Sequence, residues 1–153
     1  MSIRLLLLRC RYKYRVHRSC YAFFFLLSII LALSELSQGD DDVSRLLREG
    51  HCVKCDLDHA ALHKTVLSSS NLSHSTLSYA DLNSVDLKNS NLQGADLSDA
   101  DLSGANLRDA RLDGALLRRA NLFFAFSPKA HYQNADLRAA NLAGANLRQA
   151  DLS

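Results

Sequence analysis

From residue 55 to the end, the chain keeps a five-residue register. Its centres are Leu57, Leu62, Leu67, Leu72, Leu77, Leu82, Leu87, Leu92, Leu97, Leu102, Leu107, Leu112, Leu117 and Leu122, then Leu137, Leu142, Leu147 and Leu152. Two residues before each centre stands a small residue, alanine in most units from Ala60 to Ala150 and Ser, Thr, Val or Cys elsewhere. The residue just before the centre is usually Asp or Asn, and the two after it are polar or glycine, as at Gly94, Gly104, Gly114 and Gly144.

A period of five fits neither common element. In an α-helix, residues five apart point about 140° away from each other, so the leucines would spiral around it. In a strand, alternate leucines would point to opposite faces. The pattern requires a chain that turns a corner every five residues and returns Leu and Ala to the same inside. Four units then make a square coil of twenty residues. Coils stacked at the strand spacing of ~4.8 Å give five coils and a rod roughly 24 Å tall, a solenoid. All eighteen leucines are expected in the core. The interior is narrow, which explains the small residue beside each leucine.

Tandem units such as ADLSD, ADLSG, ANLRD and ANLAG resemble the A(D/N)LXX signature of the pentapeptide repeat family. The resemblance covers about two thirds of the chain. It implies an all-β fold, a right-handed quadrilateral β-helix, with the central Leu and the small residue pointing inward and the other three positions outward. The lead-in LLREGHCVKCDLDHAAL is similar to the start of exported or membrane-linked members, where a helix precedes Cys-x-x-Cys and the first repeat.

The segment before the repeat divides in two. Residues 1–20 carry six basic groups and no acid, and an apolar run from Cys20 to Leu33 follows. Fourteen residues make ~21 Å of helix, short of a ~30 Å bilayer core. With Ser37 and Gly39 as small residues before Asp40, residues 1–39 read as a cleaved signal, or as an anchor lengthened to span through residues 20–36. Both place the remainder outside the cytoplasm. Residues 40–54 are expected to form a capping helix and linker. Asp42 or Ser44 starts the helix, Val43, Leu46 and Leu47 make its apolar stripe, and Gly50 closes it.

Three features are candidate sites. At 123–134, FFAFSPKAHYQN breaks the leucine pattern. Ser127 and Tyr132 take the centres, Phe123 and Phe124 fall on outward positions, and Pro128 is expected to remove a ladder donor. One reading is an exposed surface of Phe123, Phe124, Phe126, Pro128 and Tyr132 for a partner protein or a membrane surface. The other is a bulge in which Phe126 and Tyr132 fill the core. Cys52 and Cys55 form, with His59 and His63, a C-x2-C-x3-H-x3-H pattern. Metal binding, a disulfide or redox pair, and a reduced structural pair are the alternatives. The outward histidines argue against metal. Basic columns arise at twenty-residue spacing. Arg118 lies over Arg138, and Lys88, Arg108 and Arg148 share a column with Pro128. They form a solvated face or meet an acidic partner.

Residues 51–153 carry ten basic and eleven acidic groups, so duplex nucleic acid is not an expected partner. No nucleophile–base spacing or phosphate loop occurs, and a narrow solid rod offers no catalytic pocket, so neither an enzyme nor a cofactor is expected. The expectation is a structural module, exported or membrane-tethered, that presents a rod surface to a protein partner. Its uncapped C-terminal coil is a place for homodimer contact. The alternatives are a gyrase-directed DNA mimic, as the resemblance allows but the charge and targeting segment disfavour, and a redox- or metal-responsive module at Cys52 and Cys55.

Overall fold

Each five-residue unit builds one straight step and one corner. In the corner that begins at Leu57, the Ala60 N–H donates to the Leu57 carbonyl at 3.1 Å, and His59 between them has φ of 57°. A left-handed third residue marks a type II turn. Left-handed residues recur every five positions from Lys54 to Gln149, which gives twenty corners and five coils. The structure is a computed structural model and describes residues 38–153. The targeting segment lies outside the described residues, apart from Gln38 and Gly39.

The coils are joined by sixteen parallel bridges, each linking a residue to the one twenty positions on. Each unit of the inner coils contributes three axial N–H groups. The Leu57 N–H donates to Thr76 O at 2.8 Å, the His59 N–H to Ser78 O at 2.9 Å, and the Thr76 N–H back to Cys55 O at 2.9 Å. The first corner residue, at positions such as 58 and 63, gives no N–H to this ladder. Four faces result. Face 1 carries Asp56, Thr76, Asp96, Leu116 and Asp136; face 2 carries Ala61, Asp81, Asp101, Asn121 and Asn141. Face 3 carries Val66, Asp86, Asn106, Phe126 and Asn146; face 4 carries Asn71, Asn91, Arg111, His131 and Asp151.

The Asp/Asn preference has a local cause. Side-chain oxygens of these residues accept the backbone N–H two positions later, as from Asp81 to Asn83 at 3.1 Å and from Asp101 to Ser103 at 3.0 Å. This Asx contact satisfies the one corner N–H that the ladder leaves out. Between coils, Asn141 donates to Asn121 at 3.1 Å and Asn121 to Asp101 at 2.9 Å, a side-chain ladder on face 2.

Leu57 through Leu122 are buried, with Ala and Ser packed between them. The core assignment fails at the far end. Leu137, Leu142 and Leu147 are only partly buried, and Leu152 is 53% exposed, because no described residue stacks on the outer side of the fifth coil.

Helix α1, Gln38–Glu49, precedes the first coil. It begins earlier than the expected residue 40, so Asp42 does not start it. The Asp42 carboxylate instead accepts the Asp56 N–H of the first coil at 2.8 Å. Leu46 is buried in the rod's apolar cluster and Val43 packs against it. Leu47 was expected in the same stripe but is 55% exposed, because the helix meets the coil through positions 42, 43, 45 and 46. Gly50, at φ of 73°, donates its N–H to Leu46 O at 2.8 Å and ends the helix. No described helix is long and apolar enough to cross a membrane.

Candidate interaction surface and the cysteine pair

The departure at 123–134 leaves the backbone intact. Phe124, Lys129 and Asn134 keep the left-handed corner conformation, and Phe126 bridges to Asn106 and Asn146. The expected bulge is therefore absent. Phe126 is not a core residue; it stands on face 3 and is 42% exposed. Ser127 and Tyr132 take adjacent inward positions, and both are buried. The small serine makes room for the tyrosine, and their hydroxyls meet at 2.7 Å. Burial pushes the Tyr132 phenol up to about 12, with the Ser127 hydrogen bond opposing weakly.

Pro128 removes no ladder donor. It occupies the first corner position, whose N–H the ladder never uses, and where a type II turn favours proline. The missing N–H is the one an Asx residue at 126 would have bound. Pro128 thus releases position 126 from turn chemistry, and a phenylalanine stands there. Phe123 and Phe124 sit on the corner just before it, with ring centroids 4.4 Å apart and edge-to-face. Phe124 is 63% exposed and Phe123 44%. The Phe124 ring lies over Gly144 of the next coil. A Cβ there would come within 3.0 Å of the ring, so the glycine makes space for the aromatic. Three phenylalanines therefore face solvent around one edge of the fourth coil.

The cysteine pair lies at the opposite end. Cys52 N–H donates to Asn71 O at 2.7 Å, the bond that a centre leucine makes. The register therefore starts at Cys52, one unit before residue 55. Cys52 and Cys55 hold the two inward positions of the first corner, and their sulfurs are joined in a disulfide. This sets aside the reduced structural pair for this state. The Arg45 guanidinium of α1 donates to Cys55 Sγ at 2.6 Å and to Cys52 Sγ at 3.1 Å, and pairs with Asp42 at 2.8 Å. Asp42 and the two sulfurs come within 4.8 Å of one another. That arrangement is occupied by a cation of the protein itself. The histidines of the zinc-like pattern point elsewhere, with His59 stacked on Tyr79 and His63 beside Asp81 at 3.2 Å.

The pentapeptide-repeats pattern matches residues 55–94, 95–125 and 128–153, in eight copies. The chain belongs to the pentapeptide repeat family. Comparison with curated proteins gives no match. Among solved structures, the chain is similar to a pentapeptide repeat protein from the cyanobacterium Cyanothece 51142, at 28% identity and a TM-score of 0.57, over 73% of this chain and 93% of that one. It is also similar to a pentapeptide repeat protein of the Arabidopsis thaliana thylakoid lumen, at 28% identity and a TM-score of 0.59, over 63% of this chain and 65% of that one. Family members form right-handed β-helices, the fold that the coil connectivity described above builds.

The pentapeptide pattern breaks only at residues 126–127 within the repeat region. That is where Phe126 replaces the Asx residue and Ser127 the leucine. The basic column of Arg118 and Arg138 is not free charge. Both guanidiniums engage Asp136, Arg138 at 2.7 Å, and together they hold its carboxyl well below the usual carboxylate range. Arg119 is likewise held by Asp99 of the preceding coil.

Proposed function

We propose that this pentapeptide repeat protein is a non-enzymatic interaction module, and that its partner protein docks on the Phe123–Phe124–Phe126 edge of the fourth coil. The observation that carries this reading is three exposed phenylalanines on an unbroken rod. Burying them would contribute to binding, and their positions are fixed before binding, so little ordering entropy is lost. The rod itself is filled with leucine and alanine, and the groove lined by His63, Tyr79, Asp81, Asp99 and Asp101 lies open to solvent. The module is exported or membrane-tethered, through residues 20–36 if that segment is retained. A disulfide buried under α1 suits an oxidising compartment, and a structural relative comes from the thylakoid lumen.

Replacing Phe123 and Phe124 together by serine tests the surface. The expected result is an unchanged melting temperature and loss of partner adducts to a photo-reactive side chain at position 126. A fall in melting temperature of 10 °C or more, on the order of 2 kcal/mol for a domain this size, would instead make the aromatics part of the folding energy.

Two further expectations follow from the same rod. The partly exposed Leu137, Leu142 and Leu147 make the fifth coil the place where two copies would meet, which the mass in solution reports. A gyrase-directed DNA mimic needs a continuous acidic face. Here Asp99 and Asp136 are neutralised by arginines, and a supercoiling assay is expected to show no inhibition.

A further inference from the structure

Faces of the rod differ in how their charges are used. On face 1 and its flanking corners, Arg118, Arg119 and Arg138 are all tied to Asp136 or Asp99. The corner column beyond face 3 is different. It stacks Lys88, Arg108, Pro128 and Arg148 at successive coils, with Lys129 beside Pro128. Arg108 touches the exposed Asp109 at 3.3 Å. Lys88, Lys129 and Arg148 make no ion pair among the described residues. The carboxylates nearby are Asp109 and Asp86, and Asp86 already accepts Asn106 Nδ2 at 2.9 Å and the Lys88 N–H at 3.1 Å.

Chain order puts this column across face 3 from Phe123 and Phe124. Phe126 and the amides of Asn106 and Asn146 lie between. At ~4.8 Å per coil, the bases of Arg108 and Arg148 stand about 10 Å apart. One face four coils tall covers on the order of 300 Å², well below the ~800 Å² that a standard partner surface buries. The patch is aromatic on one edge and cationic on the other, and too small for a globular domain alone.

We infer that face 3, from the second coil to the fifth, binds a short acidic segment of a partner protein, with an apolar side chain set against Phe123, Phe124 and Phe126 and carboxylates against Lys88, Lys129 and Arg148. This deepens the proposed function and rests on it. Backbone donors of the face are spent in the coil ladder, so recognition runs through side chains and not through an added strand. Exposed ion pairs are screened within a Debye length of ~10 Å at 0.1 M salt, so binding must weaken as salt rises.

The test uses the purified full chain and fluorescein-labelled peptides of alternating Glu and Phe, with an alternating Lys and Phe peptide as control, read by anisotropy. The Glu peptide is expected to bind and the Lys peptide not. Lys88→Gln, Lys129→Gln and Arg148→Gln together should weaken binding roughly tenfold, equivalent to ~1.4 kcal/mol. Arg138→Gln, on the paired column, should leave it unchanged. Phe123→Ser with Phe124→Ser should abolish it. Equal binding of both peptides, or binding indifferent to the three cation changes but lost with the phenylalanines, would overturn the acidic segment and leave the aromatic surface standing. Binding indifferent to the phenylalanine changes would overturn both. Tighter association with phosphatidylglycerol vesicles than with the Glu peptide would make the face a membrane contact and contradict the inference.

Discussion

At the scale of single residues, the inside of the rod tolerates little. Leu97 and Leu102 are fully buried between coils above and below. A lysine at either position would bury an unpaired charge at a cost of several kcal/mol. Leu102→Lys is expected to abolish the β-type circular dichroism signal. Native signal and melting point would contradict the inward assignment. Ser127 and Tyr132 show that the same interior accepts one unusual pair. Ser127→Leu alone should overpack against Tyr132 by about 1–3 kcal/mol, whereas Ser127→Leu with Tyr132→Leu should recover stability by restoring two consensus units. The tyrosine also gives a pH signature. Its folded value is raised from 10.0 to about 12, so stability is intact below pH 10 and falls as the unfolded state ionises first between pH 10 and 12. That loss is about 3 kcal/mol. The double leucine variant should lack this part of the alkaline unfolding curve.

At the scale of elements, the corner is the unit that the five-residue period encodes. The coil length, the inward leucines and the stacking of residues twenty apart were all legible in that period. The corner conformation left a fainter trace. All four repeat glycines fall on the second corner residue, where φ is positive, yet sixteen other residues of many types adopt it as well. That residue donates an axial hydrogen bond in the first four coils, and Ala139 and Gln149 keep the conformation without one, so no residue type is required. The bulge expected around Pro128 did not form for a separate reason. The corner already had a position without a ladder donor, and the proline took it. Which arginines are free was not legible, because pairing depends on what stands one coil away and on which rotamer reaches it. Helix α1 ties to the first coil through Leu46, the Asp42 carboxylate and Arg45 over the disulfide. Asp42→Ala with Arg45→Ala is expected to speed amide exchange at Asp56 and its first-coil neighbours at least tenfold. Exchange at Leu97 and Leu102 should stay unchanged, since local opening need not spread along a solenoid. Uniform acceleration along the rod would mean that α1 supports the whole structure.

At the scale of the whole molecule, a rod of five coils offers four faces of similar backbone and different side chains. Faces 1 and 2 spend their charges internally, in Asp136 with its two arginines and in the Asn141–Asn121–Asp101 ladder. Face 3 and its two corners leave three phenylalanines and three cations unspent between the second coil and the fifth. Function therefore turns on which face a partner occupies. The direct measurement places a photo-reactive side chain at four successive corners, positions 124, 129, 134 and 139, in the full chain expressed in its own cells. Because these positions go once around the rod, each reports on a different edge. Adducts of one size are expected from positions 124 and 129, which flank face 3, and none from positions 134 and 139. Adducts of equal yield at all four, or only at positions 134 and 139, would contradict docking on face 3.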